Sequence, residues 1–140
     1  MARYLVVAHQ TADSPELVAE LRRAKAADPA STFVLVVPAT PVQHLRGWTE
    51  GESRAVAAAT GARAQEGLKR HGIELSQVRV GDPDPVEAAA DEWNERPDYD
   101  EIILSTLTAR VSRWLRGDAR NRLAKRLSIP VRHVVAEPRH

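Results

Sequence analysis

Two clusters of polar side chains stand directly behind apolar runs. His9, Gln10 and Thr11 follow Tyr4-Leu5-Val6-Val7-Ala8, while Ser105, Thr106 and Thr108 follow Ile102-Ile103-Leu104. Thr40 stands in the same way behind Phe33-Val34-Leu35-Val36-Val37. If the apolar runs are strands, these groups collect at the strand ends and suit hydrogen bonding to a polar ligand. Hydroxyl residues there also serve simply as turn and helix caps. Arg110 and Arg113 lie a few residues further on. A guanidinium grips phosphate through paired hydrogen bonds, so these two fit a binder of a phosphorylated small molecule or nucleotide. A hydrolase would need a base beside a nucleophile, and His9 with Thr11 or Ser105 is the one cluster that offers both. Neither a Gly-x-Ser-x-Gly elbow nor a Gly-x-x-x-x-Gly-Lys-Ser/Thr phosphate loop is present, so catalysis is the weaker reading. Arg113-Trp114-Leu115-Arg116 interleaves cations with an aromatic, yet Trp114 and Leu115 suit packing better than base stacking. No nucleic-acid partner is expected. His9 and His44 follow strands expected to be adjacent, with His71, His133 and His140 scattered, but no close metal-ligand spacing exists and no metal is expected.

These residues must be positioned by an alternation of short apolar runs and helical patterns. After the first run, Ser14-Pro15-Glu16 reads as an N-cap, a proline at the first helical position and a first-turn acid. Leu17, Val18 and Leu21 continue a helix that Asp28-Pro29 ends. Thr49-x-x-Glu52 reads as a capping box for a long alanine-rich helix, which His71-Gly72 stops. Val78 and Val80 alternate with polar residues, as in a strand at the sheet edge. Asp84, Pro85 and Glu87 suggest a second capping box, for a helix whose inner face carries Val86, Ala89, Ala90 and Trp93. Asp118 reads as the cap of a helix bearing Leu123 and Leu127, and Val131 to Val135 gives the last strand. Strands separated by helices predict one α/β domain over residues 1–140, a three-layer sandwich with a five-stranded parallel sheet. In such a sheet, ligands sit beyond the carboxyl ends of the strands where strand order reverses, here between the first and fourth strands.

Composition agrees and narrows the classes. The chain has 140 residues, within the range of one domain, and no cysteine, which excludes disulfide, thiol and Cys-based metal chemistry. No apolar run approaches a membrane span, and no export signal is recognisable, so a cytoplasmic protein without membrane partners is expected. The formal charge of +1 hides an asymmetry. Residues 51–104 hold 6 Lys+Arg against 12 Asp+Glu, and residues 105–140 hold 9 against 2. The basic residues from Arg110 to Arg126 either attract an anion or form a solvated face that pairs with the acidic segment.

Several stretches carry a family resemblance. Leu5-Val6-Val7-Ala8, Val80-Gly81-Asp82-Pro83 before a helix, Tyr99-Asp100-Glu101-Ile102-Ile103-Leu104, and Ser128-Ile129-Pro130-Val131 leading into the last strand resemble the universal stress protein (UspA-like) family over nearly the whole chain. The resemblance implies an adenine nucleotide alpha hydrolase-like fold, a role in stress response and a homodimer, often formed through the last strand, here Val131 to Val135. Some members bind ATP through Gly-x-x-Gly, nine residues, then Gly-Ser/Thr after the fourth strand. Glycine lets backbone amides approach phosphates, and the helix that follows points its positive end at them. Here those positions read Ser105 and Thr108, eight residues intervene before Gly117, and Asp118 brings a negative charge. The family's nucleotide binders also place an acid at the end of the first strand, where this chain has His9. The resemblance therefore implies a dimeric binding or regulatory module with a degenerate nucleotide site. No resident cofactor is expected, with ATP or AMP left open as ligands.

Overall fold

A computed structural model describes residues 2–40, 50–108, 114 and 118–137. Five strands, β1 (Arg3–Val7), β2 (Thr32–Pro38), β3 (Gln77–Gly81), β4 (Glu101–Leu107) and β5 (Val131–Ala136), form one sheet in the order β3-β2-β1-β4-β5. Every pairing is parallel. Four helices are described: α1 (Pro15–Ala27), α2 (Glu50–Arg70), α3 (Pro85–Glu95) and α4 (Ala119–Leu127).

Successive strand residues point to opposite faces, and both faces are covered, which is why the central strands read as unbroken apolar runs. Tyr4, Val6, Phe33, Leu35, Val37 and Ile103 pack with Leu17 and Leu21 of α1 and Ala64 and Leu68 of α2. Leu5, Val7, Val34, Val36, Ile102 and Leu104 pack with Val86 and Ala89 of α3 and Leu123 and Leu127 of α4. Gly81 is required where β3 meets α3. A Cβ there would lie 2.7 Å from the Ala88 Cβ and 3.2 Å from its Cα.

Most local signals act as read. The Ser14 hydroxyl accepts from the Leu17 amide at 3.1 Å, and Gly72 takes the left-handed φ of 82° that ends α2. Thr49, expected to open α2, lies outside the described residues. The Asp84 carboxylate caps α3 by accepting from the Val86 amide at 2.8 Å. The expected box with Glu87 does not close there, because the Asp84 amide is given to Asp82 at 2.9 Å. Glu87 pairs with Arg126 of α4 instead, at 2.7 Å. Asp118 occupies the N-cap of α4 but does not cap it with its side chain. Its left-handed backbone, φ 58°, turns the carboxylate to Asn121, which donates at 2.9 Å.

Candidate functional site

The order β3-β2-β1-β4-β5 runs outward from β1 in one direction and from β4 in the other. The reversal lies between β1 and β4, which are paired side by side from Tyr4↔Glu101 to Val7↔Leu104. Beyond it, the chain leaves β1 through a tight turn closed by Ala12 N–H to His9 O at 3.1 Å and Ser14 N–H to Thr11 O at 3.1 Å. That turn holds Thr11 against β4, where its hydroxyl meets the Ser105 hydroxyl at 2.6 Å in a buried contact. One hydrogen serves this bond, so the accepting hydroxyl keeps its own hydrogen for another acceptor.

His9 is the unusual member. It is only 6% exposed, and neither ring nitrogen has a hydrogen-bond partner among the described residues. Burial holds its pKa below the ordinary 6.5. Its own backbone carbonyl opposes this without reaching hydrogen-bond geometry, and the positive charge of Arg63 on α2 adds to it. The ring is therefore neutral at pH 7, with one N–H and one lone pair unspent. Each orphaned polar atom of this kind costs about 1–3 kcal/mol in a folded chain. His9 also makes no hydrogen bond to Thr11 or Ser105, so no base–nucleophile pair is assembled.

The expected site residues separate on the two sides of the sheet. Ser105 and Thr106 do not follow β4 but belong to it, since the strand runs on to Leu107 and pairs Ser105↔Val134 and Thr106↔Val135. The sheet keeps these hydroxyls because they are satisfied. Thr106 donates to the Leu107 carbonyl at 2.8 Å, which leaves Nε2 of His133 as the donor in their 2.8 Å contact. Ser105 and Thr106 are neighbours in the strand and so point to opposite faces. Only Ser105 joins Thr11. Gln10 is exposed, Thr108 is half-buried, and Thr40 donates to the Pro83 carbonyl at 2.6 Å while accepting from the Trp114 indole at 3.2 Å. Arg110, Arg113 and Gly117 lie outside the described residues, as do His44 and His140. Among the described residues no group of three His, Cys, Asp or Glu side chains gathers to hold a metal, and no helix is long and apolar enough to cross a membrane.

Much of the basic segment is paired with acids. Arg122 meets Asp84 at 2.6 Å, Arg126 meets Glu87, and Arg132 meets Glu20 at 2.9 Å and Glu101 at 2.8 Å. A second polar centre, unforeseen in the sequence, surrounds Glu92 of α3. This fully buried carboxylate accepts from Tyr99 at 2.6 Å, Arg79 at 2.9 Å and Arg96 at 3.0 Å. Burial alone would raise its pKa, but the three donors outweigh burial and hold it low. Tyr99, desolvated and bound to that carboxylate, is pushed up to about 12. The available signals were Arg79 inside a strand and Arg96 four residues after Glu92.

No protein-family model matches the chain, and no curated protein does. Solved structures do. A universal stress protein from Archaeoglobus fulgidus superposes with a TM-score of 0.63 at 15% identity, over 96% of this chain and 93% of that one. A universal stress protein in complex with cAMP gives 0.61 at 18% identity, over 95% and 96%. This is the universal stress protein fold. A third universal stress family structure, from Arabidopsis thaliana with AMP bound, gives 0.55 at 13% identity over 97% and 92%. At these identities the universal stress protein likeness fixes the α/β architecture and parallel sheet, and leaves the ligand to be argued from the residues.

Proposed function

We propose that this protein is a divergent universal stress protein, a homodimeric binding and regulatory module whose β1/β4 crevice takes a small phosphorylated ligand. A nucleoside monophosphate is the first candidate, and ATP is not held in the family manner. The observation that carries this reading is His9, a buried imidazole with both nitrogens unspent at the strand-order reversal, where an open parallel sheet places its ligands. The Thr11–Ser105 pair supplies a neighbouring donor. cAMP and AMP in two structures of the same fold support a mononucleotide. Against a triphosphate stand the side chains of Ser105 and Thr108 at two glycine positions and the Asp118 carboxylate at the start of α4. Gly117, Arg110 and Arg113 complete the proposed site, the arginines supplying charge in place of the lost glycine amides. The dimer reading rests on β5, a six-residue edge strand bearing Val135 at 41% exposure, which a second copy would cover.

The test is thermal unfolding with AMP, cAMP and ATP at millimolar concentration. A ligand at ~100 times its Kd adds about 2.7 kcal/mol, enough to raise the Tm by several degrees. A monophosphate is expected to give that rise and ATP a smaller one. No shift with any nucleotide refutes binding, and a larger shift with ATP refutes the departure from the family site. Native mass spectrometry is expected to show twice the subunit mass, reduced to one subunit by Val135→Lys.

A further inference from the structure

We infer that a second binding site, at the end of the sheet opposite the β1/β4 crevice, takes a small oxyanion of the phosphate class, as the free ion or as a small phosphomonoester. It stands independently of the crevice reading. α1 ends at Ala27 and α2 at Arg70, and the chain then enters β2 and β3, so both helix ends lie where those strands begin. Between them is an open cleft of about 250 Å³ lined by Arg22, Lys25, Ala26, His71, Gly72 and Ile73. Arg22, Lys25 and Ala26 are spaced three and four residues apart and so share one face of α1. Buried Ile73 forms the floor, and a Cβ at Gly72 would meet nothing within 4 Å, so the cleft stays open on that side.

Three of the lining side chains carry nitrogen donors, and none is an acid. The ordinary use of cations at a helix C-terminus is to meet its free carbonyls. Here the backbone already does so: Leu68 and Lys69 accept from the amides of His71, Gly72 and Ile73, and Ala24 accepts from Asp28. Lys25 spends one hydrogen on the Ser31 carbonyl at 3.1 Å and keeps two. Arg22 and His71 make no side-chain hydrogen bond or ion pair among the described residues. The acids close to Arg22 and Lys25 in sequence are committed elsewhere, Glu20 to Arg23 and Arg132, and Asp28 to the amides of Ala2 and Ala30. Glu74, just past the cleft in sequence, is exposed and does not line it. A guanidinium, an ammonium and an imidazole N–H around one small space suit a tetrahedral phosphate, whose oxygens can serve all three. A single carboxylate has too few. The volume of about 250 Å³ equals about eight waters at ~30 Å³ each and falls below the ~300–1,000 Å³ of pockets for drug-sized molecules. The cleft thus fits a phosphate or a small ester of it, and not a whole nucleotide.

The experiment is an amide NMR titration of the full-length protein with inorganic phosphate, glycerol 3-phosphate and acetate, at constant pH and ionic strength. The wild type is compared with Arg22→Gln, His71→Ala and Arg23→Gln. Both phosphates are expected to shift the Gly72 and Ile73 amides saturably, and acetate is not. Arg22→Gln should weaken both at least about fivefold, the scale of one charge-assisted hydrogen bond at an exposed site. His71→Ala should weaken them in the same direction. Arg23 is bonded to Glu20 and does not line the cleft, so Arg23→Gln should bind as the wild type does. Tighter binding of glycerol 3-phosphate supports an ester as the ligand, and tighter binding of phosphate supports the free ion. Shifts that grow without saturation, or that acetate matches, overturn the inference. So does unchanged binding in both Arg22→Gln and His71→Ala, or an equal loss in Arg23→Gln, which would mean a diffuse field in place of a site. A crevice that binds nothing would leave every one of these outcomes unchanged.

Discussion

Replacing His9 by leucine should make the protein more stable. In most cores, removing a native side chain costs free energy. Here the imidazole is 6% exposed and spends neither nitrogen among the described residues, so it contributes packing but not hydrogen bonds. Leucine keeps most of the volume and removes two orphaned polar atoms, each costing about 1–3 kcal/mol. Part of that gain is lost to imperfect refilling of a flat ring's space, which typically costs up to ~1.5 kcal/mol. A net gain of at least about 0.5 kcal/mol remains even when each atom costs the least, and in a domain this size each kcal/mol moves the Tm by roughly 3–5 °C. Thermal unfolding followed by circular dichroism should therefore show a rise of at least about 2 °C near neutral pH. The sign of the pH dependence is also fixed. The folded pKa of His9 lies below the unfolded 6.5, so between the two values the unfolded chain binds more protons. Stability from this residue is full above 6.5 and declines as pH falls through that window, so the advantage of His9→Leu should widen on acidification. His133, also lowered by burial and by the Arg120 charge, keeps a residual slope in the variant. A Tm below that of the wild type, or an unchanged pH slope, would refute the reasoning, because the ring would then be doing structural work.

Other outcomes follow from the same structure. Glu92→Gln keeps the shape but removes the charge that Tyr99, Arg79 and Arg96 surround, and should cost about 2 kcal/mol in urea unfolding. The cost stays below that of a sealed ion pair because the Arg79 and Arg96 side chains are 26% and 41% exposed and can be hydrated. Because the folded Glu92 pKa lies below its ordinary 4.5, its contribution is present above that value and lost as pH falls through the folded pKa. Glu92→Gln should therefore flatten the acid limb of the stability profile in urea titrations below pH 4.5. Gly81→Ala sets a Cβ 2.7 Å from Ala88 and should destabilise by about 1–3 kcal/mol, measured by the same unfolding assay.

The architecture was readable because the physics behind it is local. Leu5, Val6 and Val7 are apolar in succession since both faces of β1 are covered. Ser14-Pro15 and Asp84-Pro85 mark helix starts through side-chain caps that need no tertiary partner. The misreadings occur where tertiary contacts take over. Ser105 and Thr106 look like the end of β4 because they are polar, yet Thr11, His133 and Leu107 satisfy them within the sheet. Asp118 has the chemistry of a cap, but a left-handed backbone turns its carboxylate to Asn121. Glu92 looks like a solvent-facing helix acid until Arg79, far away in sequence, is brought beside it. For the site, the sequence names His9 and its position behind β1. That its nitrogens are buried without partners depends on tertiary packing around the turn after β1, and no local pattern encodes that.

The measurement that bears most directly on the account is a crystal structure of the protein soaked in an equimolar mixture of AMP and ATP. The account predicts a monophosphate over the β1/β4 junction and no ATP there. ATP seated along Ser105, Thr108 and Gly117, with its phosphates against the start of α4, would contradict it.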